Sequence, residues 1–387
     1  IKFDKGFDMK KDWKIKQLKE VCDFQNGFAF KSKTFRDNGI PVLRISNIQK
    51  DKIDLNKIVY INTSDYQEDL SKYIVGKHDL LIAMSGATTG KIGFNQTNTI
   101  FYLNQRVGKF KPKKDLFISY LYYYLSTKVE ESLKISAGSA QPNLSTQQIK
   151  SFKIPIPPLN EQKRIVAKLD KCFEAIHIAR ANVEKNLQNA KDLFQSQLNQ
   201  IFSHKGEGWV EKNLGSVCEN FDSKRIPITK SKRVHGEIPY YGASGIVDYI
   251  SEFIFDEDLL LVSEDGANLL ARTYPIAFSV SGKIWVNNHA HVLKFEDINE
   301  QYFIEYFLNS IKLNDYVSGM AQPKLNQKKL NSILVPYPSV EVQRDTVDYL
   351  NKLYSQVQSL ESNYKQELDA LDELKKSILQ KAFNGEL

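Results

Sequence analysis

The second half of the chain restates the first at matching landmarks, and this duplication constrains the fold more than any other feature. Trp13-Lys14-Ile15-Lys16-Gln17-Leu18, running on to Val21-Cys22, returns as Trp209-Val210-Glu211-Lys212-Asn213-Leu214, running on to Val217-Cys218. Gly138-Ser139-Ala140-Gln141-Pro142-Asn143-Leu144 returns as Gly319-Met320-Ala321-Gln322-Pro323-Lys324-Leu325. Ile154-Pro155-Ile156-Pro157 matches Val335-Pro336-Tyr337-Pro338, each followed by a glutamine (Gln162, Gln343) and a long helical stretch. Between the landmarks the copies diverge. Ser85-Gly86-Ala87-Thr88-Thr89-Gly90-Lys91 has only a loose counterpart in Ser263-Glu264-Asp265-Gly266-Ala267. The frame is duplicated and the contents differ.

Each copy has the same coarse grammar. Short apolar runs at 40–45, 79–83 and 259–262 predict strands, separated by Gly, Asn, Asp and Ser clusters. Aromatic-rich helices follow at 118–125 and 302–308. A short helix is expected from Ser145, with Gln148 at capping-box spacing. The double-proline segment 155–158 cannot continue a helix and reads as a stiff extended connector.

A long helix follows each connector. Over 160–202, Ile165, Leu169, Cys172, Ile176, Val183, Leu187, Ala190, Phe194 and Ile201 keep helical spacing with no Pro or Gly between them. Over 340–383, Val347, Leu350, Tyr354, Val357, Leu360, Tyr364, Leu368, Leu371 and Ile378 do the same. Each helix of about 43 residues would run about 65 Å. A narrow apolar stripe of that length needs a partner, and the other copy is the best candidate. Lys163, Arg164, Lys185, Lys191, Lys375 and Lys376 read as a solvated face. The tail Phe383-Asn384-Gly385-Glu386 echoes Phe202 to Glu207, which precedes Trp209. The repeat's grammar therefore leads from the C-terminus back to Trp13, and a pseudo-twofold, nearly cyclic arrangement is expected. The expected domains are 1–155, 206–335 and the connector-and-helix segments 156–205 and 336–387.

The 387 residues exceed one usual core, and 42% hydrophobic with 26% charged composition supports packed domains. No apolar run reaches a membrane span and the first residues are charged, so a soluble, cytoplasmic protein without membrane contact is expected. Cys22, Cys172 and Cys218 are odd in number and far apart, which suggests neither a disulfide framework nor a zinc site. The net charge of +7 favours a polyanionic partner without naming it.

No complete catalytic apparatus is visible. Phosphate-cradling Gly-x-x-x-x-Gly-Lys, Gly-x-Gly-x-x-Gly and His-Glu-x-x-His runs are absent, as is the Asn/Asp-Pro-Pro-aromatic motif of amino-methylating enzymes. Glu373-Leu374-Lys375 has nuclease-like spacing but lies on the long helix without a supporting strand. His289 and His291 would point the same way on a strand and could ligate a metal, but no third ligand is spaced near them. They read as strand-borne polar contacts, and no metal or cofactor is expected in the chain.

DNA-reading chemistry is better supplied, since base edges are read by Arg, Lys, Asn, Gln and Ser/Thr, and phosphates are held by Lys, Arg and backbone amides. In the first copy, Ser85 to Lys91 is a small polar loop whose glycines allow close backbone approach to phosphate, with Thr88, Thr89 and Lys91 as contacts. Asn104-Gln105-Arg106 gathers three base-reading side-chain types. Lys31, Lys33 and Arg36 could hold phosphates. In the second copy Lys224, Arg225, Lys230, Lys232 and Arg233 form the densest basic stretch, and Tyr241 and Ser244 lie in a turn offering aromatic and backbone contacts. Gln141, His289, Gln322 and Lys324 complete the candidates. The competing reading is ordinary polar turns and solvated charge, which is less economical for loops duplicated in two copies.

In order and duplication these marks resemble the specificity subunit of type I restriction–modification systems. The resemblance spans essentially the whole chain. It rests on the Trp-x-x-x-x-Leu-x-x-x-Cys openings, the Ser85 to Lys91 loop and the Ala-Gln-Pro-x-Leu segments. It rests also on Ile-Pro-Ile-Pro-Pro-Leu-Asn-Glu-Gln leading into a helix and on the terminal Phe-Asn-Gly-Glu-Leu. Ser339-Val340-Glu341-Val342-Gln343 departs from the connector pattern while keeping Gln343. The resemblance implies two α/β target-recognition domains joined by two long antiparallel helices as a coiled-coil spacer, each reading half of an interrupted double-stranded DNA site. It implies two docked methyltransferase subunits and restriction motor–nuclease subunits, with S-adenosylmethionine, ATP and magnesium in those partners and no catalysis in this chain. A fused methyltransferase–nuclease remnant and a coiled-coil scaffold without a DNA-reading role are the alternatives.

Overall fold

The computed structural model describes residues 13–49, 52–128, 143–204, 206, 208–319 and 322–387. The chain divides into two compact units, Ile1–Asn182 with Glu367–Leu387, and Val183–Gln366. The divisions fall inside both long helices rather than at their starts, because the helix ends are built into the module cores.

In the first unit the opening landmark forms a strand, Lys14–Gln17, that pairs antiparallel with Lys153–Ile156 in the register Lys14↔Ile156. In the second unit Val210–Asn213 pairs with Leu334–Tyr337 in the register Val210↔Tyr337. The expected stiff connector is thus a strand folded back on the opening landmark. Each ribbon has two strands, so its prolines sit on edges, where no ladder donor is required.

The two modules share one topology. The first has a four-stranded antiparallel sheet in the order Cys22–Asn26, Val107–Pro112, Leu80–Ala83, Ile92–Phe94. The second repeats it as Glu219–Asn220, Ala290–Lys294, Leu259–Ser263, Ala277–Val280. A companion sheet in each carries one parallel pair, Ile40–Leu43 with Phe101–Leu103 and His235–Gly242 with Lys283–Val286. The apolar run expected as strand to residue 45 ends at Leu43, and Ile45–Asn47 turn as a short 3-10 helix. The aromatic helices are Ile118–Ser126 and Ile298–Ser310. The short helix Thr146–Lys150 carries the expected capping box, the Ser145 hydroxyl accepting from the Gln148 amide. Its counterpart Gln327–Asn331 is capped by Asn326.

The long helices are Leu159–Ser203 and Val340–Asn384, 45 residues each. They run antiparallel in both units. In the first, Lys375 lies over the Phe173 ring and Arg180 pairs with Asp372 at 2.7 Å. In the second, Phe194 packs on Tyr354, and the Tyr349 hydroxyl donates to Gln197. The 373–375 triplet lies on this helical surface, where Glu373 pairs with Lys376. Near each helix start the connector's glutamine is buried. Gln162 donates to the Asp115 and Pro157 carbonyls and accepts from the Phe117 amide, while Gln343 donates to the Pro338 carbonyl.

Each module core is closed by the end of the helix that arrives from the other copy. Phe383 is fully buried between Tyr120 and Tyr124, with both ring centroids at 5.2 Å, in one core with Trp13, Ile165 and Leu169. Phe202 packs on Phe303 and Phe307 in one core with Leu214, Val347 and Leu350. The tail and Trp13 therefore do share a core, as the repeat's grammar predicted.

Candidate nucleic-acid interface

Three segments meet at one end of the two central strands of the antiparallel sheet in each module, and their backbone hydrogen bonds match one for one. In the first, the Met84 amide donates to the Arg106 carbonyl at 2.9 Å, and the Leu144 amide to the Met84 carbonyl at 2.7 Å. In the second, the Glu264 amide donates to the His289 carbonyl at 2.9 Å, and the Leu325 amide to the Glu264 carbonyl at 2.8 Å. The Asn104 amide bonds the Leu43 carbonyl, as the Asn287 amide bonds that of Tyr241, both at 3.0 Å. The bridge Ser85↔Asn143 is matched by Asp265↔Lys324. These contacts equate Ser85-Gly86-Ala87 with Asp265-Gly266-Ala267, and Asn104-Gln105-Arg106 with Asn287-Asn288-His289. Gly86 and Gly266 both take positive φ, +76° and +107°, at the start of their turns. The loose counterpart in the sequence is therefore a structural one.

The side chains hung on this frame differ. In the first module Gln105 and Arg106 are exposed, and the Arg106 guanidinium donates to the Asn143 side-chain oxygen at 3.1 Å. Beside them, the 85–91 loop is largely closed on itself. The Thr89, Gly90 and Lys91 amides bond the Gly86, Ala83 and Thr88 carbonyls. Thr88 donates its hydroxyl to the Ile45 carbonyl, and the Lys91 ammonium donates to Gln49. Thr89 is 1% exposed and donates its hydroxyl to the Gly86 carbonyl, which corrects its expected place at a phosphate. Lys31 and Lys33 are exposed around the 3-10 turn Ser32–Thr34. Arg36, close by, is bonded through one amino group to both oxygens of Asp65.

In the second module the basic stretch splits. Lys224, Lys230, Lys232 and Ser244 are exposed, and Lys224 stands 3.3 Å from the Phe221 ring centroid. Arg225 is not a surface cation. Its guanidinium donates to Glu264 and the Ala290 carbonyl, each at 2.7 Å, and lies 3.5 Å from Asp222. Burial against two carboxylates draws it inward, which corrects its expected DNA contact. Arg233 is likewise held by Asp248 at 3.0 Å, over the Tyr240 ring. Tyr241 is half-buried against Phe278. Gln322 is exposed, and Gln141 lies outside the described residues.

The two histidines do not point the same way. His289 sits in the turn before the strand, half exposed, its Nδ1 donating to Asp265 at 2.8 Å. His291, on the strand, is 1% exposed and bridges the Asp222 carboxylate at 2.5 Å and the Leu325 carbonyl at 2.7 Å. Asp222, Glu264 and His291 bring ligand-type atoms within 4.8 Å of one another, a grouping that spacing in the sequence concealed. Arg225, and Lys324 at 3.1 Å from Glu264, supply the cations for these carboxylates. Burial works to raise the Asp222 carboxyl, but the hydrogen bond and charge of His291, the Val292 amide and Arg225 hold it below the usual range. The same balance, with Arg225 foremost among the opposing groups, lowers Glu264. This cluster braces the 322–325 segment. At the matching places the first module has Met84, and Gly108 under the Phe24 ring, an apolar plug with no charge.

Cys22 and Cys218 lie at equivalent openings, and burial pushes both thiols up to about 12, so neither is a thiolate near neutral pH.

A family model described as "Type I restriction modification DNA specificity domain" matches residues 10–188 and again 206–370. A Haemophilus influenzae sequence provisionally named as a type I restriction enzyme specificity subunit is 34% identical over 142 residues, 37% of this chain and 36% of that one. The EcoBI specificity subunit of Escherichia coli is 24% identical over 440 residues, 97% of this chain and 86% of the relative. Among solved structures, one from a study of "complex assembly" and "conformational transition of the type I R-M system" superposes with a TM-score of 0.77 at 20% identity, covering 98% and 99% of the two chains. The HsdS subunit from Thermoanaerobacter tengcongensis superposes at 0.61, also at 20% identity, covering 99% of each.

Proposed function

This chain belongs to the type I restriction–modification DNA specificity family, and from that premise we propose that it reads an asymmetric, bipartite double-stranded DNA target, one half per module. The observation that carries this is the matched turn. One backbone frame presents Gln105 and Arg106 in the first module, and Asn288 and His289 in the second. Identical frames give equivalent approaches to DNA, and unlike side chains give unlike half-sites. A scaffold without a DNA-reading role would leave these two exposed turns without a use.

Two methyltransferase subunits dock on the chain and motor–nuclease subunits join them, in keeping with the near-symmetric pair of 45-residue helices. The chain itself is not catalytic. S-adenosylmethionine, ATP and magnesium belong to those partners, and the complex works in the cytoplasm. Among the described residues no helix is long and apolar enough to cross a membrane.

Single-molecule sequencing of methylated bases in cells co-expressing this chain with its methyltransferase subunits tests the reading. The expected result is an interrupted, non-palindromic motif. A continuous or palindromic one would overturn it.

A further inference from the structure

The exposed tip of the second module's turn is a residue that composition does not single out. Asn288 stands between two anchored neighbours. The buried Asn287 accepts the His289 amide on its side-chain oxygen at 2.8 Å. The His289 ring is in turn held by both oxygens of Asp265, at 2.8 and 3.0 Å. Asn288 is exposed, and its carboxamide has no hydrogen-bond partner among the described residues. Gln105, at the equivalent tip of the first module, is exposed and unpartnered in the same way. Asn47 and Asn95, by contrast, are buried and bonded to neighbouring backbone.

We propose that Asn288 is a specificity-determining residue of the second module, and that its carboxamide reads an adenine in the half-site that module contacts. The inference rests on the DNA-reading function proposed above. An exposed Asn or Gln amide can both accept from and donate to one base, and adenine's major-groove edge offers the complementary N6 donor and N7 acceptor. A recognition side chain has to be held in place before it meets its base, and the anchored neighbours on either side provide that. His289 supports the assignment. Its Nδ1 is committed to Asp265, which fixes the ring next to Asn288, and no described residue takes up its Nε2.

The test compares wild type, Asn288→Ala and Arg106→Ala, each as the full chain co-expressed with its methyltransferase subunits. Methylated motifs are read in cells, and binding is measured on a panel of single-base variants of the cognate duplex. Asn288→Ala is expected to make one A·T position of one half-site degenerate and to lower discrimination there roughly five- to hundredfold, leaving the other half-site intact. An unchanged motif with Asn288→Ala, while Arg106→Ala alters the other half-site, overturns the assignment and leaves DNA reading standing. A lowered melting temperature with unchanged base preference overturns it too, as a structural role. If both variants keep the wild-type motif, DNA reading by these turns fails along with the assignment.

Discussion

His291 donates from Nδ1 to the Asp222 carboxylate at 2.5 Å while only 1% exposed. The pair joins the strand Ala290–Lys294 to the turn after Asn220, and the ring's other nitrogen holds the Leu325 carbonyl. It therefore decides where the returning segment with Gln322 and Lys324 lies. Removing one partner of a buried charged pair leaves the other uncompensated, at a cost of about 3–5 kcal/mol. Asp222→Ala should destabilise the second unit by about that much in denaturant melts of the full chain. Hydrogen exchange should show the loss over 264–266 and 322–325, with the first unit's protection retained.

The same cluster should make the second unit sensitive to acid. Asp222 and Glu264 are both held below their ordinary values of 3.8 and 4.5 in the folded chain. A depressed folded value means the unfolded chain binds protons more readily, so these groups stabilise the fold fully above about pH 5. That contribution falls as the pH drops through the ordinary values and is gone below the lowered ones. Asp222→Asn should lower stability at neutral pH and flatten its slope between about pH 5 and 3. A slope as steep as wild type would show that the acid response originates elsewhere. Met84 and Gly108 give the first module no such response at the matching position.

The Phe383 ring fills the space between Tyr120 and Tyr124. Phe→Ala at a fully buried site costs about 3–5 kcal/mol. Phe383→Ala should loosen the helix Ile118–Ser126, and Phe202→Ala should loosen Ile298–Ser310, each by that order. Hydrogen exchange followed by peptide would check it. Loss spread equally over both units in either variant would contradict the separate closing of each core.

The frame was legible because its landmarks are constrained by backbone geometry. Trp13 and Trp209 open paired strands, the prolines end them, Ser145 caps a helix, and the apolar stripes mark the long helices. These signals are local in sequence. The site was legible only in part, because its partners come from far apart. Nothing near Arg225 in sequence announces Glu264, and the spacing of His289 and His291 gives no hint that one faces solvent while the other meets Asp222. Aligning the Ala-Gln-Pro-x-Leu segments would set Asn104-Gln105-Arg106 against Trp285-Val286-Asn287, two residues out of step with the Asn287-Asn288-His289 that the backbone hydrogen bonds equate with it. The equivalence was hidden also by different side chains on the same turn.

Replacing Arg106 and Lys31 in turn would test reading apart from holding in the first module. Arg106 is exposed at the matched turn, and its partner is the Asn143 amide oxygen rather than a carboxylate. Its charge is therefore not neutralised there, and its fork can still pair bidentately with guanine. Arg106→Ala should cost about 1–3 kcal/mol on the cognate site and relax preference at one position of one half-site. Lys31 is exposed on a charged turn, and its ammonium, lacking a fork, would offer phosphates only a point charge. Lys31→Ala should weaken cognate and scrambled duplexes alike, and reduce the slope of log affinity against log salt by about one contact's share. Binding titrations at several salt concentrations on both duplexes, beside thermal melts, distinguish the two roles. Equal weakening on both duplexes by Arg106→Ala would make it a phosphate contact, and a lowered melting temperature with unchanged base preference would make it a structural one.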